Sequence, residues 1–150
     1  MDDWNFATKP SVEFLARLRE TLRELLTIVG HKPDEIENLI SQFMQKLEIE
    51  AFGNIERLMS TDEFALYDSL TRQFEREIGR FNKNSDKLLE LTERFKTLLN
   101  TVAPPERIHE IYLAAGKSLL EDYIKHISPT LSNHQQDKAQ TLVKRLFSRS

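Results

Sequence analysis

The chain has 150 residues, of which 39% are hydrophobic and 30% are charged, and its net charge is -3. This composition is too apolar for a disordered chain and too evenly charged for a dedicated polyanion-binding protein. The sequence contains no cysteine, which excludes disulfides, thiolate metal sites and cysteine nucleophiles and fits a reducing cytoplasm.

The first ten residues, MDDWNFATKP, are acidic and lack the basic region and apolar run of a signal peptide. No uninterrupted apolar run approaches the roughly 20 residues that a membrane-spanning helix needs. We therefore expect a soluble, cytoplasmic protein with one domain over residues 1–150, in which residues 1–10 form an irregular tail.

Proline, glycine and capping residues divide the chain into helical segments. Ser11 is a candidate N-cap for a first helix that ends at Gly30, and Pro33 suits the first turn of a second helix. Ser60 and Glu63 have the spacing of a capping box, so a third helix is expected to begin there.

The segment 61–102 carries apolar residues at intervals of seven, which favours one long, coiled-coil-like helix packed on its neighbours or on a second copy. The series comprises Tyr67, Phe74, Phe81, Leu88, Phe95 and Val102. Such a helix would be about 60 Å long, whereas a compact domain of this size is about 40 Å across. Packing can override the cost of the poor helix formers in residues 82–86, so it is this difference in size that favours the alternative, two helices joined by a tight turn. A second series at the same interval, formed by Leu70, Leu91 and Leu98, has Glu77 and Asn84 at its two remaining positions, which predicts solvent or a polar partner there.

A further helix is predicted from Pro105 to Ile127, with an apolar arc broad enough for the central helix of a bundle. The small residues of 114–116 would allow another helix to approach closely. Ser132 and Gln135 form a second capping-box pattern before the last helix. The sequence thus predicts an all-α fold, a five- or six-helix bundle that the long helix about 61–102 would elongate.

Two acid–histidine pairs lie at helical spacing in this predicted helix. Glu106 and His109 match half of a di-iron motif, but the sequence has no second copy, so His109 is expected on the helix surface. Asp122 and His126 are expected to be a structural pair near the helix C-terminus. We predict no catalytic residues, no metal and no cofactor, and hence a protein that is not an enzyme.

The remaining apolar residues suggest a surface for a partner. Ile49 and Phe52 extend the apolar stripe of the second helix onto its solvent face, and Trp4 and Phe6 are large apolar residues in the tail. They are predicted partner-binding residues together with Asn84; alternatively, the tail folds back and covers Phe52. The leading hypothesis is a noncatalytic interaction or assembly module that self-associates or docks a protein partner.

The alternative hypothesis is a small helical nucleic-acid-binding protein. Its contact residues would be the basic strip of the last helix, consisting of Lys138, Lys144, Arg145 and Arg149. The same cations would also be ordinary near a helix C-terminus that is simply solvated.

Overall fold

The computed structural model describes residues 9–80 and 84–148, with side chains from Ser11 onward, and every regular element in these ranges is helical. The α-helices are α1 (Lys9–Val29), α2 (Pro33–Glu56), α3 (Thr61–Ile78), α4 (Ser85–Val102), α5 (Pro105–Ile127) and α6 (Asn133–Ser148). A short 3₁₀ turn, Ser128–Thr130, joins α5 to α6. The all-α bundle predicted from the sequence is confirmed, and no helix in the described ranges is long and apolar enough to cross a membrane.

Helices α1, α2, α5 and α6 form the main bundle, in which α1 and α5 each contact the other three. A close approach of two helices involves Gly116 of α5, where an added Cβ would lie 3.0 Å from Cζ of Phe14 on α1. Phe14 is fully buried and also contacts the ring of Phe147 on α6. The predicted small-residue contact of the fifth helix is therefore confirmed, whereas its predicted central position is shared with α1.

Local capping signals set most of the helix ends. Ser60 accepts a hydrogen bond from the amide of Glu63, whose carboxylate accepts from the Ser60 amide, and Ser132 and Gln135 repeat this reciprocal pair. Gly30 has φ of 105°, a left-handed conformation that favours glycine, and ends α1 as predicted. The Ser11 N-cap is wrong, because α1 begins at Lys9 and Ser11 lies within its first turn.

The prediction of one continuous helix over 61–102 is wrong, and the turn alternative is correct. Helix α3 ends at Ile78, and α4 begins after Asn84, which adopts an extended conformation as its N-cap. The buried Glu77 carboxylate accepts a hydrogen bond of 2.9 Å from the Asn84 amide and pairs with Arg80 at 3.3 Å. The Asn84 side chain in turn accepts from the Lys87 amide. Both polar residues of the second apolar series are therefore bonded to each other, between the end of α3 and the start of α4.

The seven-residue series is divided between two helices that pack against each other as a hairpin, α3–α4. Tyr67 and Phe74 of α3 both contact the ring of Phe95 on α4, with ring centroids 6.1 Å apart in each pair. A further member of the series, Phe81, lies outside the described residues. The series marks the facing sides of the hairpin, and its core is continuous with that of the main bundle.

Candidate functional site

The hairpin α3–α4 has an open groove of about 530 Å³ along one edge. Leu66 and Leu70 lie four residues apart and therefore share one face of α3, opposite Leu98 of α4. Leu70 and Leu98 are buried and form the floor, whereas Leu66 remains 41% exposed. The groove thus presents apolar side chains to the surface between two helices.

Two threonines of α4, Thr97 and Thr101, complete the wall of this groove. Their hydroxyls donate hydrogen bonds to the main-chain carbonyls of Glu93 and Thr97, at 3.0 and 2.9 Å. Because these hydroxyl protons are bonded within the helix, the threonines do not need a water or ligand acceptor. This wall is therefore compatible with apolar side chains.

The rim of the groove is acidic. Its lining contains four carboxylates and one guanidinium, those of Asp62, Glu63, Glu90, Glu93 and Arg94. Two of the carboxylates have lysine neighbours on the same helix, with N–O distances of 3.9 Å for Glu90 and 3.7 Å for Glu93. These pairs are exposed, and such pairs contribute little to stability. A cation from a binding partner can replace these lysines at small cost.

Sequence reasoning missed this groove. Leu66 lies outside the seven-residue series, and its exposure depends on how α4 lies against α3. The available signal was the Leu66–Leu70 spacing of four, next to the acidic first turn of α3.

The predicted partner-binding residues are not brought together by the described structure. Ile49 is 74% exposed on α2, whereas Phe52 is partly buried and packs against the core. Asn84 is the N-cap of α4 and not an interior residue of one long helix, and its role in binding a partner stays a prediction. Trp4 and Phe6 lie outside the described residues, so both explanations of the tail remain predictions.

The predicted basic strip is exposed at Lys138, Lys144 and Arg145, and Arg149 lies outside the described residues. Carboxylates of α1 border this strip: Arg145 shares a surface groove with Glu20 and Glu24. A neighbouring groove places Lys138 beside Glu24 and Asp137. These carboxylates reduce the positive potential that a phosphate backbone would meet.

The histidine pairs have separate environments. His109 is half-buried, not on the helix surface as expected, because its ring packs against Phe14 and its Nδ1 lies 3.1 Å from the buried Ser11 hydroxyl. Asp122 and His126 are both exposed near the end of α5. In the described ranges, no three His, Asp or Glu side chains converge closely enough to hold a metal ion.

A polar contact between α2 and α5 contains a partly buried carboxylate. The hydroxyl of Tyr112 donates a 3.2 Å hydrogen bond to Glu48. Burial raises the pKa of Glu48, and burial together with the Glu48 charge raises the pKa of Tyr112 beyond its ordinary range. Burial also raises the pKa of Tyr67 on α3, where the neighbouring Glu56 of α2 adds to the effect.

Comparison of the chain with protein-family models, with curated proteins and with solved structures gave no match.

Proposed function

We propose that the chain is a noncatalytic interaction module that binds an apolar helical segment of a partner protein in the groove of the α3–α4 hairpin. The observation that carries this proposal is the exposed Leu66 above a floor of buried leucines. An amphipathic helix binds such a groove through apolar side chains at helical spacing.

The shape of the groove favours a protein segment over a small molecule. Small-molecule sites are concave and bury most of their ligand. Here the walls include exposed side chains of both helices, among them Asp62 of α3 and Glu90 and Arg94 of α4. A side of a helix can fill this surface while its opposite side stays in water.

The acidic rim favours binding of a different protein over pairing of the groove with the same groove of a second copy. Symmetric pairing of two identical grooves would place one acidic rim against another, because a two-fold interface brings the same patch together. Among the described residues, the other exposed large apolar side chains lie outside the groove lining: Val12, Ile49, Leu58, Phe64 and Leu89.

The nucleic-acid alternative has weaker support, because the basic strip lies beside the carboxylates of Glu20 and Glu24. It remains a prediction, as does the cytoplasmic location.

The test compares tagged wild-type protein with Leu66→Glu and Leu89→Glu as baits in nuclease-treated native lysate. Both leucines are exposed on the hairpin, but only Leu66 lines the groove. We expect one partner protein to be recovered with wild type and with Leu89→Glu but not with Leu66→Glu. The same protein, once purified, should bind purified wild type directly. Circular dichroism should show that both variants remain helical.

The proposal is wrong if no directly binding protein depends on Leu66, or if Leu89→Glu abolishes its recovery equally. Analytical ultracentrifugation of purified wild type tests whether two copies of the chain associate. If wild type is a dimer and Leu66→Glu dissociates it, the groove binds a second copy of the chain and not a different protein.

A further inference from the structure

We infer that the partner helix is basic, with apolar side chains facing the groove and Lys or Arg residues along both edges. This inference rests on the proposed function and specifies the chemistry of the partner. It depends on the distribution of charge around the groove, whereas the proposed function depends on the exposed leucine.

The carboxylates lie on both sides of the apolar floor. Asp62 and Glu63 belong to α3, whereas Glu90 and Glu93 belong to α4. A helix lying between α3 and α4 would therefore have acidic groups along both of its edges. The apolar side chains of the partner helix would contact Leu66, which lies between the two groups of carboxylates.

Not all of these carboxylates are equally available. Glu63 already accepts a 2.8 Å hydrogen bond from the Ser60 amide in the capping box. Glu90 and Glu93 have only long, exposed pairs with Lys87 and Lys96 among their described contacts. We therefore assign the charge selectivity of the α4 edge to Glu90 and Glu93, which outnumber the single cation in the groove lining, Arg94.

The groove also limits the length of the contact. Its lining extends from Asp62 to Leu70 on α3 and from Glu90 to Thr101 on α4. At the rise of an α-helix these segments are about 12 to 17 Å long, which corresponds to two or three turns of a partner helix. Apolar residues at i, i+4 and i+7 would cover this length, with cations at the flanking positions.

Other occupants fit less well. The first residues of this chain, MDDWNF, contain apolar residues but carry two aspartates and no lysine or arginine. An acidic segment would be repelled by the rim, as would an anionic lipid surface. The charges thus distinguish a basic helix from these alternatives.

The test uses three designed peptides of about 18 residues, long enough for measurable helix content in water. They share leucines at i, i+4 and i+7 and differ only at four flanking positions, which are all Lys, all Gln or all Glu. Binding to the full chain is measured by fluorescence anisotropy at low salt and at about 0.5 M salt. Methyl NMR of the leucines locates the bound peptide.

We expect the Lys peptide to bind about tenfold or more tightly than the Glu peptide at low salt, and high salt should reduce the difference. The leucine signals of Leu66 and Leu98 should shift. Glu90→Gln/Glu93→Gln should largely remove the preference, whereas the matched control Glu75→Gln/Glu121→Gln, at exposed positions outside the groove, should retain it.

Equal binding of all three peptides at Leu66 would overturn the basic partner but leave the groove as a helix-binding site. Binding of the Lys peptide away from Leu66, or an unchanged preference in Glu90→Gln/Glu93→Gln, would also overturn the inference. If none of the peptides binds, both the inference and the proposed helix-binding function fail.

Discussion

The main bundle and the α3–α4 hairpin use similar residues in different ways. In the main bundle, α5 is surrounded by α1, α2 and α6, and residues such as Leu120 are fully buried. In the hairpin, α3 and α4 pack mainly against each other, so one edge of their shared apolar face remains at the surface. The difference shows that a helix pair with few covering neighbours can expose apolar side chains without losing a buried core of its own.

The largest expected effect is the loss of a core side chain from the main bundle. Leu120→Ala should lower the free energy of unfolding by about 2 to 5 kcal/mol, because it removes a fully buried side chain and leaves a cavity. Leu89→Ala is the matched control, since Leu89 is 65% exposed, and should change stability by less than about 0.5 kcal/mol. Urea unfolding measures both, and equal losses would contradict the assignment of the core.

The next effect concerns the turn of the hairpin. Glu77→Ala should cost about 1 to 3 kcal/mol, because the buried acceptor of the Asn84 amide is lost. Glu77→Gln retains an acceptor oxygen and should cost less.

Native-state hydrogen exchange separates the two regions in these variants. Glu77→Ala should accelerate exchange in α3 and α4 more than in α1 and α5, because the lost bond lies within the hairpin. Uniform acceleration throughout the helices would show instead that hairpin and bundle open as one unit.

Removing the cap of α4 should have a smaller effect. Asn84→Ala should lower stability by about 0.5 to 2 kcal/mol, because the Lys87 amide loses its acceptor. Asn84→Leu should also destabilise, although it would have stabilised a continuous helix. Asn84→Asp keeps a capping oxygen and should remain close to wild type in thermal unfolding. An Asn84→Leu variant that is more stable than wild type would contradict the role of Asn84 as the N-cap of α4.

The smallest effect is a change in the pH dependence of stability from Glu48. A carboxyl whose pKa is raised by folding contributes fully below its ordinary pKa, here 4.5, and this contribution is lost as pH rises through the raised value. Glu48→Gln retains an acceptor for Tyr112 and should remove that decline. Urea midpoints between about pH 4 and 8 measure the slope. The exposed control Glu121→Gln should follow wild type, and a Glu48→Gln profile identical to wild type would refute the effect.

Features encoded by neighbouring residues could be predicted from the sequence. The Ser60–Glu63 and Ser132–Gln135 capping boxes involve residues three apart, so their geometry is nearly fixed once the helix forms. The start of α5 at Pro105 followed from the same local logic.

The turn between α3 and α4 was harder to predict, because apolar residues can have the same spacing in one straight helix and in two antiparallel helices. Phe74 and Phe95 are separated by a multiple of seven residues in one straight helix and also face each other across the hairpin. The decisive signal was the set of polar residues from Asn84 to Asp86, which cap and begin α4. The groove required the positions of both helices, since nothing in the local sequence of Leu66 indicates that it stays exposed.

The hydrogen bond between the side chain of Gln135 and the carbonyl of Ile28 spans 107 residues, whereas the Glu77–Asn84 contact spans 7. Closing the longer loop costs more chain entropy, so we expect the hairpin to form early in folding and α6 to dock on α1 late. In stopped-flow experiments, Leu91→Ala should then mainly slow refolding, and Leu146→Ala should mainly accelerate unfolding. The reverse pattern would place the pairing of α1 and α6 in the folding nucleus.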